Sequence, residues 1–240
     1  MTDRREFLRI AATGVALATL RPRAAAAQAP LKIGMIGAGR EGSALGTLFV
    51  KAGHPVMFAS RNPDRLKDLA AGLGPLAQAG TVEQAVAFGD VVALVVPYPA
   101  IAEIGKAHAS ALAAKPLVLD VSNPIPRRDG EDFVKRVNEQ GGAGLMTAKW
   151  LPGSHIVRAF NAIGSARLLE VAHRPGEMVG VPIAGDDPKA IAVAQSLIRE
   201  IGFEPVLVGG LAMGKHLVPG TPLAGEHTPA EIRQAAAALH

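Results

Sequence analysis

Six residues near the start of this 240-residue chain, Gly37-Ala38-Gly39-Arg40-Glu41-Gly42, dictate much of its architecture. They follow an apolar run, Leu31 to Ile36, suited to a strand buried on both faces. They precede Ser43 to Gly53, where Leu45, Leu48, Phe49 and Ala52 mark one face of a helix that Gly53 ends. A G-x-G-x-x-G run at a strand-to-helix turn has a direct physical reading. Gly37 permits the tight turn, Gly39 lets the backbone approach a pyrophosphate, and Gly42 lets helix and strand lie close together. The helix N-terminus then points N–H groups at the anion. Pro55 to Ala59 supplies the next strand and completes a βαβ unit that binds a dinucleotide.

The tip of that second strand selects the dinucleotide. NAD sites place Asp or Glu there to hold the ribose 2′-hydroxyl. This chain has Ser60-Arg61-Asn62-Pro63-Asp64-Arg65. Ser60 and Arg61 can donate hydrogen bonds and positive charge to a 2′-phosphate, and Arg65, one helical turn on, adds a second cation. Asp64, following Pro63, suits the start of the next helix. The expected cofactor is therefore NADP (NADPH).

Further strands are expected at 91–96, 116–121, 155–160, 178–185 and 203–208, with helices at 81–88, 100–113, 187–199 and 229–239. This alternation implies an α/β fold, a Rossmann-type doubly wound, mostly parallel sheet with a short C-terminal helical extension. Residues 30–215 form the dinucleotide-binding domain and 216–240 the extension. Pro124 to Gly144, with Gly141-Gly142, reads as a flexible excursion beside the substrate. Ligands of such sheets bind beyond the carboxyl ends of the strands. Tyr98, Asn123 and Asn161 stand at that rim and can hydrogen-bond a carboxamide or a flat heterocycle; Asn123-Pro124 reads equally well as turn chemistry.

Other chemistries find no pattern. The chain has no cysteine, so disulfides, thiolate metal sites and cysteine nucleophiles are excluded. No two of its seven histidines have metal-ligand spacing on one helix, and no nucleophile elbow or paired-carboxylate pattern occurs, so no metal and no catalytic residue are assigned. Ser165 reads as a helix cap and Trp150 as a helix end packed into the core.

Residues 1–29 read as a leader. Arg4-Arg5 with Phe7-Leu8, an apolar run from Ile10 to Leu20 and the small-residue site Ala27-Gln28-Ala29 form a twin-arginine signal peptide. The apolar run is short for a membrane span, so no stable membrane insertion is expected after cleavage. The expected location is periplasmic or extracellular, reached folded through the twin-arginine export machinery. Of the chain's 25 cations and 21 acids, the leader takes five (Arg4, Arg5, Arg9, Arg21, Arg23) and two (Asp3, Glu6). The remainder, 20 against 19, gives no electrostatic case for binding nucleic acid, and aromatic content of 4% gives no stacking surface for it.

Several segments resemble the NADPH-dependent coenzyme F420 reductase family. They are Lys32 to Gly39, Ala59 to Pro63, Trp150-Leu151-Pro152-Gly153 with Val157 to Asn161, and Ala184 to Pro188. The same module is similar to the reductase domain of the six-transmembrane metalloreductases. The resemblance spans roughly residues 31–215. It implies hydride transfer between NADPH and a deazaflavin (coenzyme F420), a flavin or a similar small electron acceptor. Alignment of two rings is most of such catalysis, which fits the missing acid–base constellation. By the family pattern Ala38 to Glu41 hold the pyrophosphate, Ser60, Arg61 and Arg65 the 2′-phosphate, and Val96, Pro97, Tyr98, Ile125 and Ala159 the nicotinamide. A homodimer is compatible with this pattern. The alternative reading is an exported dinucleotide-binding sensor or carrier without turnover.

Overall fold

The computed structural model describes residues 29–239; nearly all of the expected signal peptide and its arginine pair lie outside them. Strand β1 (Ile33–Ile36) is buried on both faces, as its uninterrupted apolar sequence requires. Around it the chain lays down β2 (Val56–Ala59), β3 (Ala77–Gly80), β4 (Val91–Leu94), β5 (Val118–Asp120), β6 (Ile156–Arg158), β7 (Gly180–Gly185) and β8 (Glu204–Gly209). These form one sheet in the order β3-β2-β1-β4-β5-β6-β7-β8. The first six strands are parallel; β7 runs antiparallel to β6, and β8 parallel to β7. This is a Rossmann-type sheet in the order that opens a crevice between β1 and β4, where the winding reverses.

Helices α1 (Arg40–Lys51), α2 (Lys67–Leu73), α3 (Val82–Phe88) and α4 (Ala100–Ala113) cover its first half. Helix α1 buries Leu45, Leu48 and Phe49 against Ile33, Met35 and Phe58. Thr81 starts α3 with a reciprocal capping box to Gln84. The stretch 124–144, expected to be flexible, is helical instead: α5 (Pro126–Asp129), α6 (Glu131–Glu139) and the start of α7 (Ala143–Trp150). Gly130, Gly141 and Gly142 take positive φ between these helices, so the glycines are hinges of tight corners. Trp150 ends α7 and packs on Tyr98 and Phe133.

After β6 come α8 (Ser165–Val171) and α9 (Pro188–Glu200), the latter capped by Asp187, whose side chain accepts from the Lys189 N–H. Gly164, not Ser165, is the N-cap of α8, so Ser165 is its first residue. A 3₁₀ turn (Leu211–His216) leads to α10 (Pro229–Ala237), started by a Thr228–Glu231 capping box. The extension is not loosely attached. Ile232 and Ala236 share a buried cluster with Ala184, Val206, Leu217 and Leu223, and Gly180 bridges His227. Among the described residues no helix is long and apolar enough to cross a membrane.

Candidate dinucleotide site

The glycine turn divides its labour among three positions. Gly37 has φ +101°, and a Cβ there would lie 2.1 Å from the Val95 carbonyl oxygen. A Cβ on Gly42 would lie 1.9 Å from the Gly37 carbonyl oxygen, so α1 touches the turn backbone to backbone. A Cβ on Gly39 would meet nothing within 4 Å. Gly37 and Gly42 are thus glycine for the fold, whereas Gly39 leaves open space beside the first turn of α1. No side chain caps α1, which leaves its first amides for an anion. A pyrophosphate fits this arrangement.

A cavity of about 730 Å³ opens from that turn along the carboxyl ends of β1, β4, β5 and β6. Of the residues expected at the site, Gly39, Arg40, Glu41, Gly42, Val96, Pro97, Asn123, Ile125 and Asn161 line it. Ser122, Arg128, Phe160, Ser165 and the tail residues Pro219, Gly220, Ala224 and Gly225 join them. Phe160 holds φ +60°, a costly value for a bulky residue, and turns the chain sharply after β6. Asn161 follows, and its amide nitrogen donates to the carbonyls of Asp120 and Ser122, each at 3.2 Å. Its Oδ1 is buried without a partner.

Two expected nicotinamide contacts are corrected. Tyr98 is fully buried and turned away from the rim: its hydroxyl donates to the Ala143 carbonyl and lies 3.0 Å from Thr147 Oγ1. Burial and the nearby Asp120 carboxylate push its phenol upward, so it remains a hydrogen-bond donor. Ala159 is likewise buried in the main core, beneath the cavity floor. Gly37 and Ala38 shape the turn without lining the cavity; Ala38 packs on the core and its carbonyl accepts from Ser43 Oγ at 3.0 Å.

Ser60, Arg61 and Arg65 stand at the end of β2, outside the cavity proper. Ser60 Oγ accepts from the Asn62 N–H at 3.1 Å. Asp64 pairs with Lys67 at 2.7 Å, and this ammonium holds the Asp64 carboxyl below its usual range. Asp64 therefore neutralises neither arginine. Among the described residues, neither the Arg61 nor the Arg65 side chain is engaged in an ion pair or hydrogen bond.

Behind the cavity floor lies a buried ionic network that sequence reading did not reveal. Asp120 and Arg158 have fully buried side chains paired at 2.5 Å. Asp120 also accepts from Thr147 Oγ1 at 2.8 Å and the Ser122 N–H at 2.9 Å. Arg158 reaches the Ser122 carbonyl and Asn123 Oδ1, both at 3.1 Å. Asn123 in turn donates to the Asn161 carbonyl at 2.6 Å. The two asparagines at the rim are thus fixed from below.

Comparison with known proteins agrees with this geometry. Residues 32–124 match the family described as NADP oxidoreductase, coenzyme F420-dependent. The matched segment holds the glycine turn, the Ser60-Arg61 tip and the β4 and β5 ends. Metalloreductase STEAP3 of Rattus norvegicus is 34% identical over 190 residues, which cover 78% of this chain and 35% of that protein. The chain thus spans about a third of the length of this curated relative. A hypothetical protein of Sinorhizobium meliloti shares 29% identity, covering 82% of this chain and 95% of that one with a TM-score of 0.71. A putative F420-dependent NADP-reductase of Arthrobacter sp. FB24 has the same fold at 20% identity and TM-score 0.67, covering 77% and 87% of the two chains. The matched segment is thus similar to an NADP oxidoreductase family, and the fold is Rossmann-like.

Proposed function

We propose that the chain is an NADP-dependent oxidoreductase that moves a hydride between NADPH and a deazaflavin (coenzyme F420), a flavin or another small electron acceptor. The observation that carries this reading is the Gly39 opening: a nucleotide-sized cavity runs from it to Asn161, and beside it stand two arginines unpaired among the described residues and no strand-tip carboxylate. NADPH, when bound, supplies the hydride. The first amides of α1 hold its pyrophosphate, and Ser60, Arg61 and Arg65 hold its 2′-phosphate. Val96, Pro97, Ile125, Asn123 and Asn161 flank the nicotinamide and exclude water from it. A smaller cavity of about 280 Å³ shares Ile125 and Pro219 with the first and is the place for the acceptor. Positioning carries the catalysis, because the reacting groups need two aligned rings more than an acid–base pair.

Incubation of the purified full chain with NADPH and a panel of deazaflavin, flavin and ferric acceptors tests the reading. Loss of the reduced-nicotinamide absorbance with a deazaflavin or flavin is expected. Tight NADPH binding with no oxidation by any acceptor would favour a sensor or carrier instead. The twin-arginine pattern Arg4-Arg5 supports folded export to the periplasm or beyond. Fractionation of cells expressing the natural chain checks this, and retention in the cytoplasm would contradict it.

A further inference from the structure

The glycine turn contains an acid without a cation. Glu41, the second residue of α1, lines the cavity, and its carboxylate accepts a hydrogen bond from the Ser165 N–H where α8 begins. Its Oε1 is buried with no hydrogen-bond partner among the described residues. Among the described residues it forms no ion pair. The two cations that line the same cavity do not compensate it. Arg40 is exposed and, among the described residues, makes no salt bridge; Arg128 is held by Asp129 at 2.8 Å and by the Asn123 carbonyl at 2.5 Å. On α8, Arg167 is committed to Glu226 and Glu170. The cavity residues contributed by the ends of β4, β5 and β6 and by the tail after Pro219 carry no ionisable side chain.

A carboxylate in this position meets an arriving diphosphate as a like charge. It also occupies the first amide of α8, one of the donors that converge on the cavity. Resting on the dinucleotide reading above, we propose that Glu41 couples nucleotide binding to proton uptake: NADP(H) enters together with one proton, drawn from solvent onto the Glu41 carboxylate. Neutralised, the side chain no longer repels the diphosphate and becomes a hydrogen-bond donor toward it. The free protein is poised for this, since burial lifts the Glu41 carboxyl from 4.5 to about 7 against the opposing Ser165 hydrogen bond.

The sign follows from that starting point. Below about pH 7 the carboxyl is already protonated in the free protein, and affinity is independent of pH. Above it, each pH unit weakens binding about tenfold, because the proton must first be supplied. Calorimetric titration of the full chain with NADPH at pH 6.5, 7.5 and 8.5 (test conditions from about half a unit below neutrality to about one and a half units above it) reads this directly. The wild type should lose about tenfold in affinity between the two higher values, and Glu41→Gln less than about twofold. Repeating the wild-type titration near the upper pH in two buffers of different ionisation enthalpy should register uptake of close to one proton, a result that needs no variant to fold. Parallel pH profiles for wild type and Glu41→Gln, or no net proton uptake by the wild type, would overturn the proposal. Absence of binding to either protein at every pH is a different result, and overturns the dinucleotide reading along with it.

Discussion

Asp120→Ala is expected to destabilise the folded protein by about 3–5 kcal/mol, although residue 120 touches no ligand in the proposed mechanism. The substitution deletes the counterion of a fully buried guanidinium, leaves the Ser122 N–H without its side-chain acceptor, and leaves Thr147 Oγ1 with only the Tyr98 hydroxyl. Arg158 has no route to solvent, so its charge remains buried and unpaired. For a domain of this size the loss corresponds to a fall in Tm of roughly 6–20 °C. The double variant Asp120→Leu, Arg158→Met should regain much of it, because apolar packing replaces an ion pair whose formation already costs desolvation. Thermal unfolding of the three proteins checks this; an Asp120→Ala protein as stable as wild type would show that the pair contributes nothing. Loss of Asn123 positioning should accompany the single substitution, since its Oδ1 accepts from Arg158, whereas Asn161 bonds the residue-120 backbone carbonyl, which alanine keeps.

Gly39→Ala and Gly42→Ala should separate binding from folding. At Gly39 the new methyl group meets no protein atom, and the residue has φ −71°, which alanine adopts freely. Stability should change by less than about 0.5 kcal/mol, as for a neutral surface site. The methyl group nevertheless fills the space the pyrophosphate needs against the first turn of α1. Losing two charge-assisted amide contacts of about 1.5–3 kcal/mol each weakens NADPH binding by about 100-fold or more. At Gly42 the Cβ would overlap the Gly37 carbonyl oxygen at 1.9 Å, backbone against backbone, so α1 must move. That variant should lose about 1–3 kcal/mol of stability as well as its affinity. Full NADPH affinity in Gly39→Ala would remove the pyrophosphate from this turn.

Much of this site is legible in sequence because it is local. The strand, the turn and α1 lie within about twenty consecutive residues, where glycine chemistry and apolar spacing decide the structure without help from elsewhere. The capped helices α3, α9 and α10 are equally local. What escaped is decided at a distance. Tyr98 follows a buried strand and reads as a rim residue, but α4 starts right after Pro99 and turns the ring inward, where Ala143 and Thr147, more than forty residues away, satisfy its hydroxyl. Strand β3, Ala77-Gln78-Ala79-Gly80, has no apolar run because it is an edge strand, and it forms by pairing with β2. The Asp120–Arg158 pair joins two adjacent strands whose neighbourhood no sequence spacing reveals. Phe160 gives no warning of its positive φ, since nothing in a phenylalanine favours it. The tail reads as small residues and turns, and only its packing on β7 and β8 brings Pro219 and Gly225 to the cavity.

The central claim is that the glycine turn and the Ser60-Arg61 tip hold a nicotinamide dinucleotide by its phosphates, the third phosphate included. Isothermal titration of the full chain with NADPH and with NADH, on the wild type and on Arg61→Ala, measures this most directly. The wild type should prefer NADPH by about ten- to a hundredfold, the equivalent of one charge-assisted contact of about 1.5–3 kcal/mol, and Arg61→Ala should erase most of that preference while leaving NADH unchanged. No heat with either nucleotide, or a preference that survives the substitution intact, would contradict the account.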